Sequence, residues 1–309
     1  MNPLTPLKCI ATFVLSIGLL LVATARSTSA DNLIINGDFE TGDFTGWTTT
    51  PAATGSNFGV TTLPPAHDTL GAFFGATAAD VDSISQTFAT TPGAFYIVTF
   101  FYQVGNPTPF QMANNYINVL FNGLSVDQIN IPPLFPQSNV NPGFGPFTFT
   151  NLQATGTMTT LEFQARNAAS VFGGFDYIDD VSVTAAPCPQ TQGYWKNNPD
   201  AWPVNSLTLG SQTYTKTELL TILRTATRGD ASLILAHQLI AAKLNIANGS
   251  GEPAPVPSTI THADSVLGGF SGKLPYNIKP SSPNGQAMVT DATTLDNYNN
   301  GLLTSGCEG

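Results

Sequence analysis

The chain has 309 residues and a formal net charge of −10, and only 10% of its residues are charged. An acidic chain with so few lysines and arginines is a poor partner for nucleic acid, because phosphate binding requires clustered basic side chains. Its length suits two domains behind a leader segment.

Residues 1–30 have the pattern of a secretory signal peptide. Lys8 precedes an apolar run from Cys9 to Ala23, and small residues follow as far as Ala30. The run is shorter than the roughly 20 residues of a membrane-spanning helix. We therefore expect cleavage after Ala25 or Ala30, and a mature protein that is secreted or periplasmic and has no membrane span.

The charge is divided unevenly along the rest of the chain. Between Asp31 and Pro187 there are twelve acidic residues and one basic residue, Arg166, whereas residues 188–309 carry eight acids and seven bases. A break of this kind marks a domain boundary. We predict a first domain over residues 31–187 and a second over residues 188–309.

The first domain reads as a series of short strands. The stretch FYIVTFFYQ (Phe95 to Gln103) is apolar on both faces, as in a buried strand, and two alternating segments flank Asn122-Gly123, which predicts a hairpin. TTLEFQARN and YIDDVSV also alternate, and no convincing helix appears. The pattern predicts an all-β sandwich.

Three segments of this domain carry a family resemblance: NLIINGDFETGDFTGW at its start, SISQTFATTPGAFYIVTFFYQV in the middle and FDYIDDVSV at its end. They resemble the galactose-binding-like jelly-roll sandwiches, which include many carbohydrate-binding modules. The resemblance implies a structural calcium ion held by the opening glutamate and the closing aspartate. Here these are Glu40 and Asp179, with Asp180 and Asp38 as further candidates.

The strand alternation independently indicates that Asp179 is a metal-ligand candidate. It places this carboxylate on the same face as Val181 and Val183, the expected core side. A carboxylate facing a core is costly unless it is paired or bound to a metal, and calcium prefers such oxygen ligands. The alternative is that these acids lie at a solvated strand end.

Candidate sugar contacts are aromatic and amide side chains. They are Trp47, which follows the first strand, the tyrosines Tyr96, Tyr102 and Tyr116, and Phe110, Gln111, Asn114 and Asn115 in the loop NPTPFQMANN. Trp47 is also a natural core residue at that position. No nucleophile elbow, metal-binding histidine cluster or phosphate-binding loop appears in this half, so we expect it not to be an enzyme.

The second domain reads as helices. Thr215 and Glu218 form a capping box before one helix, Asp230 starts a longer one, and a short helix near THADSVLGG and a last one in DATTLDNYNNG follow. Arg228-Gly229-Asp230 spells an adhesion tripeptide, but a helix stop followed by a helix cap explains it better.

Two cysteines remain after the leader, Cys188 and Cys307, and they bracket nearly the whole second domain. In an exported chain they predict one disulfide, the alternatives being free thiols or an intermolecular bridge.

The stretch TQGYWKNNPDAWP follows Cys188 and holds Tyr194, Trp195 and Trp202. We interpret these rings mainly as core anchors for the helices, with a ligand platform as the alternative. Together with AHQLIAAKLN, the stretch is similar to an uncharacterised domain of exported bacterial proteins, a resemblance that implies no reaction.

The sequence as a whole predicts a calcium-stabilised jelly roll followed by a disulfide-closed helical domain. The expected function is non-catalytic binding of extracellular or cell-surface carbohydrate, in adhesion, matrix or polymer capture. The alternatives are a structural surface component without a small ligand, and a hydrolase accessory or glycosidase. Aromatic side chains on one sheet face would favour the first, and uniformly Thr, Asn and Gly faces the second. A pair of carboxylates in a cleft would favour the third.

Overall fold

A computed structural model of the chain describes residues 31–53, 55–62, 69–75, 81–105, 116–130, 145–166 and 175–307. The predicted signal peptide lies outside the described residues. None of the helices within these ranges has the length and apolar character to cross a membrane.

The described residues of the first half form ten strands and no helix, as the sequence predicts. The strands are β1 (Thr48–Thr50), β2 (Phe58–Thr62), β3 (Leu70–Phe74), β4 (Asp82–Ala89), β5 (Phe95–Gly105), β6 (Tyr116–Phe121), β7 (Leu124–Asn130), β8 (Gly145–Gln153), β9 (Met158–Arg166) and β10 (Phe175–Ala185).

These strands make two five-stranded antiparallel sheets. The first sheet has the order β1-β4-β9-β6-β7 and the second has the order β2-β3-β10-β5-β8. Both sheets contribute alternate residues to one hydrophobic core. The ring of Phe100 in the second sheet meets that of Phe163 in the first edge-on, with centroids 5.0 Å apart. The sheets therefore pack face to face, and each has one outer face.

The predicted hairpin joins β6 to β7. Asn122 and Gly123 have φ angles of 54° and 76°. A two-residue turn of this kind requires positive φ at both positions, which Asn-Gly tolerates.

Strand β10 carries a bulge that the alternation did not predict. Immediately after Asp179 the register of β10 with β5 shifts, and Asp180 has a φ of 49°. Ile178, Val181 and Val183 all belong to the core, so Asp179, between them, points out of the second sheet. The prediction that Asp179 shares the face of Val181 and Val183 is wrong, because one extra residue in a bulge reverses the alternation.

The second half is mainly helical and contains one small hairpin that the sequence reasoning missed. Its elements are α1 (Gln192–Asn197), a 3-10 turn (Pro199–Ala201), β11 (Ser206–Leu209), β12 (Gln212–Thr215), α2 (Lys216–Arg224), α3 (Ala231–Ala247), α4 (Val256–Gly268) and α5 (Pro283–Asn299). The predicted capping box of Thr215 and Glu218 starts α2. Helices α4 and α5 begin several residues earlier than predicted.

The tryptophans of the TQGYWKNNPDAWP stretch are core anchors, as predicted. Trp195 and Trp202 are both buried in the helical core. Trp195 donates from Nε1 to Oδ1 of Asn245 (2.9 Å), and Trp202 donates from Nε1 to the carbonyl of Trp195 (2.8 Å). Tyr194 is partly exposed beside them.

The tripeptide Arg228-Gly229-Asp230 forms the start of a helix, as the sequence predicts. Asp230 caps α3 by accepting from the backbone N–H of Ser232 (2.9 Å). It also accepts from the backbone N–H groups of Asn277 (3.1 Å) and Ile278 (3.0 Å). Its carboxylate is nearly buried and is therefore not presented to a partner.

The disulfide predicted between Cys188 and Cys307 is present, and the two halves of the chain are in contact. The backbone N–H of Glu252 donates to Oδ1 of Asn151 on β8 (2.8 Å). Gly251 lies so close to Phe95 that an added Cβ would overlap the ring. The helical half is thus packed directly against the sandwich.

Candidate functional site

The outer face of the second sheet carries a group of aromatic and polar side chains, which we call the aromatic face. By alternation with core residues of the same strands, its members point away from the sandwich interior. They are Phe73, Phe101, Gln103, Tyr177 and Asp179.

The strand register brings these side chains together. Tyr177 on β10 lies directly between Phe73 on β3 and Gln103 on β5. In the next row, Asp179 pairs with Phe101. The Cβ atoms of such cross-strand partners lie about 5 Å apart. Three rings, one amide and one carboxylate therefore share a patch two rows deep across three strands.

A glycine on the neighbouring strand explains how Phe73 is held. Gly59 on β2 is the register partner of Phe73. A Cβ added at Gly59 would come within 2.9 Å of Cε1 of Phe73. The ring therefore lies over the glycine, in space that any other residue would fill.

Burial differs between the rings and the polar groups. The three rings are half-buried, whereas Gln103 is 2% exposed and Asp179 is 0% exposed. Asp179 accepts at Oδ1 from the backbone N–H of Asp180 (2.8 Å). Burial, and secondarily the charge of Asp176, raises the pKa of Tyr177, so Tyr177 keeps its hydroxyl proton.

A second carboxylate of β10 lies on the inner side of the same sheet. Asp176 is 0% exposed, and its Oδ1 accepts from the hydroxyl of Tyr102 (3.0 Å). Its Oδ2 is buried with no hydrogen-bond partner in the part of the chain that is described. Burial raises the pKa of this carboxyl to about 7, against the opposing effect of the Tyr102 hydrogen bond.

The outer face of the first sheet is different in chemistry. One row across all five strands consists of hydroxyl and amide side chains in register. They are Thr50, Ser83, Gln164, Asn118 and Gln128. The two outer faces of the sandwich thus offer different surfaces, one aromatic and one hydroxyl- and amide-rich.

No family model matches the chain, and no curated protein does either. Solved structures do resemble it. A CBM61 module in complex with β-1,4-galactotriose has a TM-score of 0.35 and 18% identity, covering 50% of this chain and 99% of that one. A Stig cyclase from Fischerella sp. TAU has a TM-score of 0.38 and 20% identity, covering 52% and 99%. The enzymatically active domain of tailspike protein 4 from bacteriophage CBA120 has a TM-score of 0.36 and 16% identity, covering 50% and 21%.

The four predicted calcium ligands do not line one cavity. Asp38 and Asp180 both line a polar depression of about 360 Å³ on the surface of the sandwich, and neither Glu40 nor Asp179 lines it. Glu40 instead accepts at Oε1 from the backbone N–H groups of Thr69 and Leu70. Among the described residues, no three histidine, cysteine or acidic side chains are grouped as metal ligands would be.

Trp47 is a core residue, so its place among the candidate ligand contacts is corrected. The side chain is 8% exposed and its ring stacks on Phe39, with centroids 5.7 Å apart. Its Nε1 donates to the carbonyl of Asn36 (3.0 Å). With its polar edge satisfied and its ring face covered, Trp47 has no surface left for a sugar.

Tyr96 and Tyr102 are core residues as well, so they are also corrected as ligand contacts. The loop candidates Phe110, Gln111, Asn114 and Asn115 lie outside the described residues. The sequence reasoning did not single out Phe73 and Phe101. The signal for Phe101 was present, because FYIVTFFYQ has aromatic residues at both odd and even positions of the strand. A central strand with aromatics on both faces must present some of them on the outer side of its sheet.

Proposed function

We propose that this protein is a non-catalytic binding protein that recognises carbohydrate on its aromatic face. The observation that carries the proposal is the placement of three aromatic rings beside an amide and a carboxylate on the outer side of one sheet. Sugars offer two kinds of surface, flat patches of C–H groups and a rim of hydroxyls. Half-buried rings suit the first, and fixed polar groups suit the second.

The polar members suit hydroxyl recognition because they are held in place. An amide such as Gln103 both donates and accepts, whereas an ionised carboxylate such as Asp179 only accepts. Gln103 is 2% exposed and Asp179 is 0% exposed, so the half-buried rings are the part of the aromatic face that a sugar meets first, and hydroxyl contact with either polar group requires displacement of what covers it.

Two alternatives from other functional classes have weaker support. A glycosidase needs two carboxylates flanking one bond, but the two buried carboxylates of β10, Asp176 and Asp179, lie on opposite sides of the second sheet. A purely structural role would suit the hydroxyl- and amide-rich face of the first sheet, but it gives no reason for the aromatic face.

The same proposal takes the sandwich to be a jelly roll of the galactose-binding-like type and the protein to be exported, which the disulfide supports. A calcium ion, if bound, would be held at the depression shared by Asp38 and Asp180. Their carboxylates are hard oxygen donors of the kind calcium prefers, and the ion would stabilise the junction of the opening segment with β10.

A glycan and polysaccharide binding array tests the function, with purified protein in calcium and in chelator. We expect retention by a defined class of sugar. The Tyr177→Ala variant should then bind about tenfold or more weakly, because truncating a central aromatic contact costs roughly 2 kcal/mol. Tyr194→Ala, which removes a partly exposed tyrosine from the helical half, is the matched control.

The outcomes separate the alternatives. Loss of binding in Tyr177→Ala and not in Tyr194→Ala supports the aromatic face. The absence of binding to any glycan by folded protein would move the function to a structural or protein-binding role. Release of reducing sugar during incubation would show an enzyme. A chelator effect on thermal stability that disappears in Asp180→Asn would support the calcium site.

A further inference from the structure

Arg166 occupies an unusual position in the charge distribution of the chain. It is the single lysine or arginine between Asp31 and Pro187, among twelve acidic residues. It ends β9, where its register partner is Tyr116 on β6. The preceding residue, Ala165, faces the core, so Arg166 projects from the outer face of the first sheet. This face is opposite to the aromatic face.

Within the described ranges, the Nε of Arg166 is buried and has no hydrogen-bond acceptor. None of the ion pairs among the described residues includes this side chain. Burying an N–H group without an acceptor costs free energy. Such groups are rare in native proteins and mark places where a ligand or ordered water completes the bonding.

An acidic group of the same strand and face is already engaged in hydrogen bonds. Glu162 accepts at Oε1 from the side-chain amide of Gln164 (3.0 Å). Gln164 in turn accepts from Nδ2 of Asn118 (3.2 Å), and Asn118 accepts from the hydroxyl of Ser125 (2.6 Å). This chain of hydrogen bonds runs across three strands and engages the carboxylate of Glu162, while Arg166, four residues further along β9, has no anionic partner among the described residues.

We propose that the outer face of the first sheet is a second binding site, centred on Arg166 and Tyr116, for a sugar unit that carries a carboxylate or a sulfate. The planar guanidinium matches such oxygen groups with two parallel N–H donors. Tyr116 supplies a ring beside it, and the amide ladder offers partners for neighbouring hydroxyls. The site adds a ligand class to the proposed function and lies on the face that the proposed function does not use.

The net negative charge of the first domain restricts which anionic glycans can bind at this site. Eleven net negative charges on residues 31–187 repel a dense polyanion before contact. A neutral backbone with isolated anionic groups meets the single cation without that long-range penalty. The fitting ligand is therefore a sparsely substituted acidic glycan.

The test compares three polymers by affinity electrophoresis and titration calorimetry: glucuronoxylan, the same polymer after carboxyl reduction, and a sparsely sulfated galactan. We expect Arg166→Gln to weaken binding of the anionic polymer by roughly 10- to 100-fold, the range for a charge-assisted hydrogen bond. Arg166→Lys should retain part of the affinity, because it keeps the charge and loses the planar fork. Arg224→Gln removes the same charge from an exposed site in the helical half and should have no effect.

The same variants also distinguish binding at Arg166 from binding at the aromatic face. Tyr177→Ala is expected to leave acidic-glycan binding intact, and Arg166→Gln to leave neutral-glycan binding and the unfolding temperature intact. Preference for glucuronoxylan or for the sulfated polymer identifies the anionic group. Equal binding of the carboxyl-reduced and native polymers, with no binding of the sulfated one, would overturn the proposal. So would unchanged affinity in a folded Arg166→Gln variant, or failure of the wild-type protein to bind any anionic polymer.

Discussion

Replacing Asp176 by asparagine should stabilise the protein at pH 8 and leave it nearly unchanged at pH 4. The carboxyl is fully buried with a pKa of about 7, against an ordinary pKa of 3.8 in the unfolded chain. Between these two pH values the folded state holds a proton that the unfolded state has released, so stability falls as the pH rises. Above pH 7 the loss is complete.

The size of the effect follows from the shift. About three pKa units, at about 1.4 kcal/mol each, give roughly 4 kcal/mol of lost stability at pH 8. The neutral amide of Asp176→Asn keeps the shape and an acceptor for the Tyr102 hydroxyl without ionising. The variant should therefore gain up to that amount at pH 8.

Urea unfolding at pH 4 and pH 8 measures both free energies. Asp127→Asn, on the exposed side of β7, controls for the loss of one negative charge. His237, whose pKa is lowered by burial, contributes stability with the opposite pH dependence, but it does so equally in both proteins. A variant that is no more stable than the wild type at pH 8 would refute the argument that Asp176 is forced to ionise in a buried site.

Three further predictions concern the helical half and its junction. Gly251→Ala should destabilise the contact between the two halves by roughly 1–3 kcal/mol, because the added Cβ would overlap Phe95. Limited proteolysis should then separate the halves sooner than in the wild type. Gly193→Ala, at a position with room for a Cβ, should not have this effect. Reduction of the disulfide should lower the unfolding free energy of the helical half by up to about 5 kcal/mol, and calorimetry showing an unchanged unfolding temperature would contradict this. Asp230→Ala should cost about 2–4 kcal/mol through the lost cap and buried bonds, and integrin-bearing cells should adhere no better to wild-type protein than to this variant.

The parts of the fold that were predicted depend on local chemistry. Asn122-Gly123 specifies a turn through its own backbone preferences, and Thr215 with Glu218 specifies a helix start through its own side-chain bonds. The buried tryptophans and the disulfide also follow from residue type and compartment. In each case the information lies within a few residues or in the side chain itself.

The parts that were missed depend on partners far along the chain. The bulge at Asp180 needs one backbone residue at positive φ, which no alternation reveals, and it reversed the side assigned to Asp179. The place of Phe73 depends on Gly59 in the next strand. Trp47 was ambiguous because only the packed structure shows Phe39 covering its ring.

The disulfide changes the path by which a mechanical load crosses this protein. Cys188 follows directly after the sandwich, and Cys307 lies 119 residues further on, yet their Cα atoms are 5.4 Å apart and covalently joined. Tension applied between the sandwich and the backbone at Cys307 passes through one S–S bond and bypasses all five helices. The helical half would therefore stay folded under a pull that would unravel an uncrosslinked domain in the same position, and it would begin to extend only once the bond was reduced.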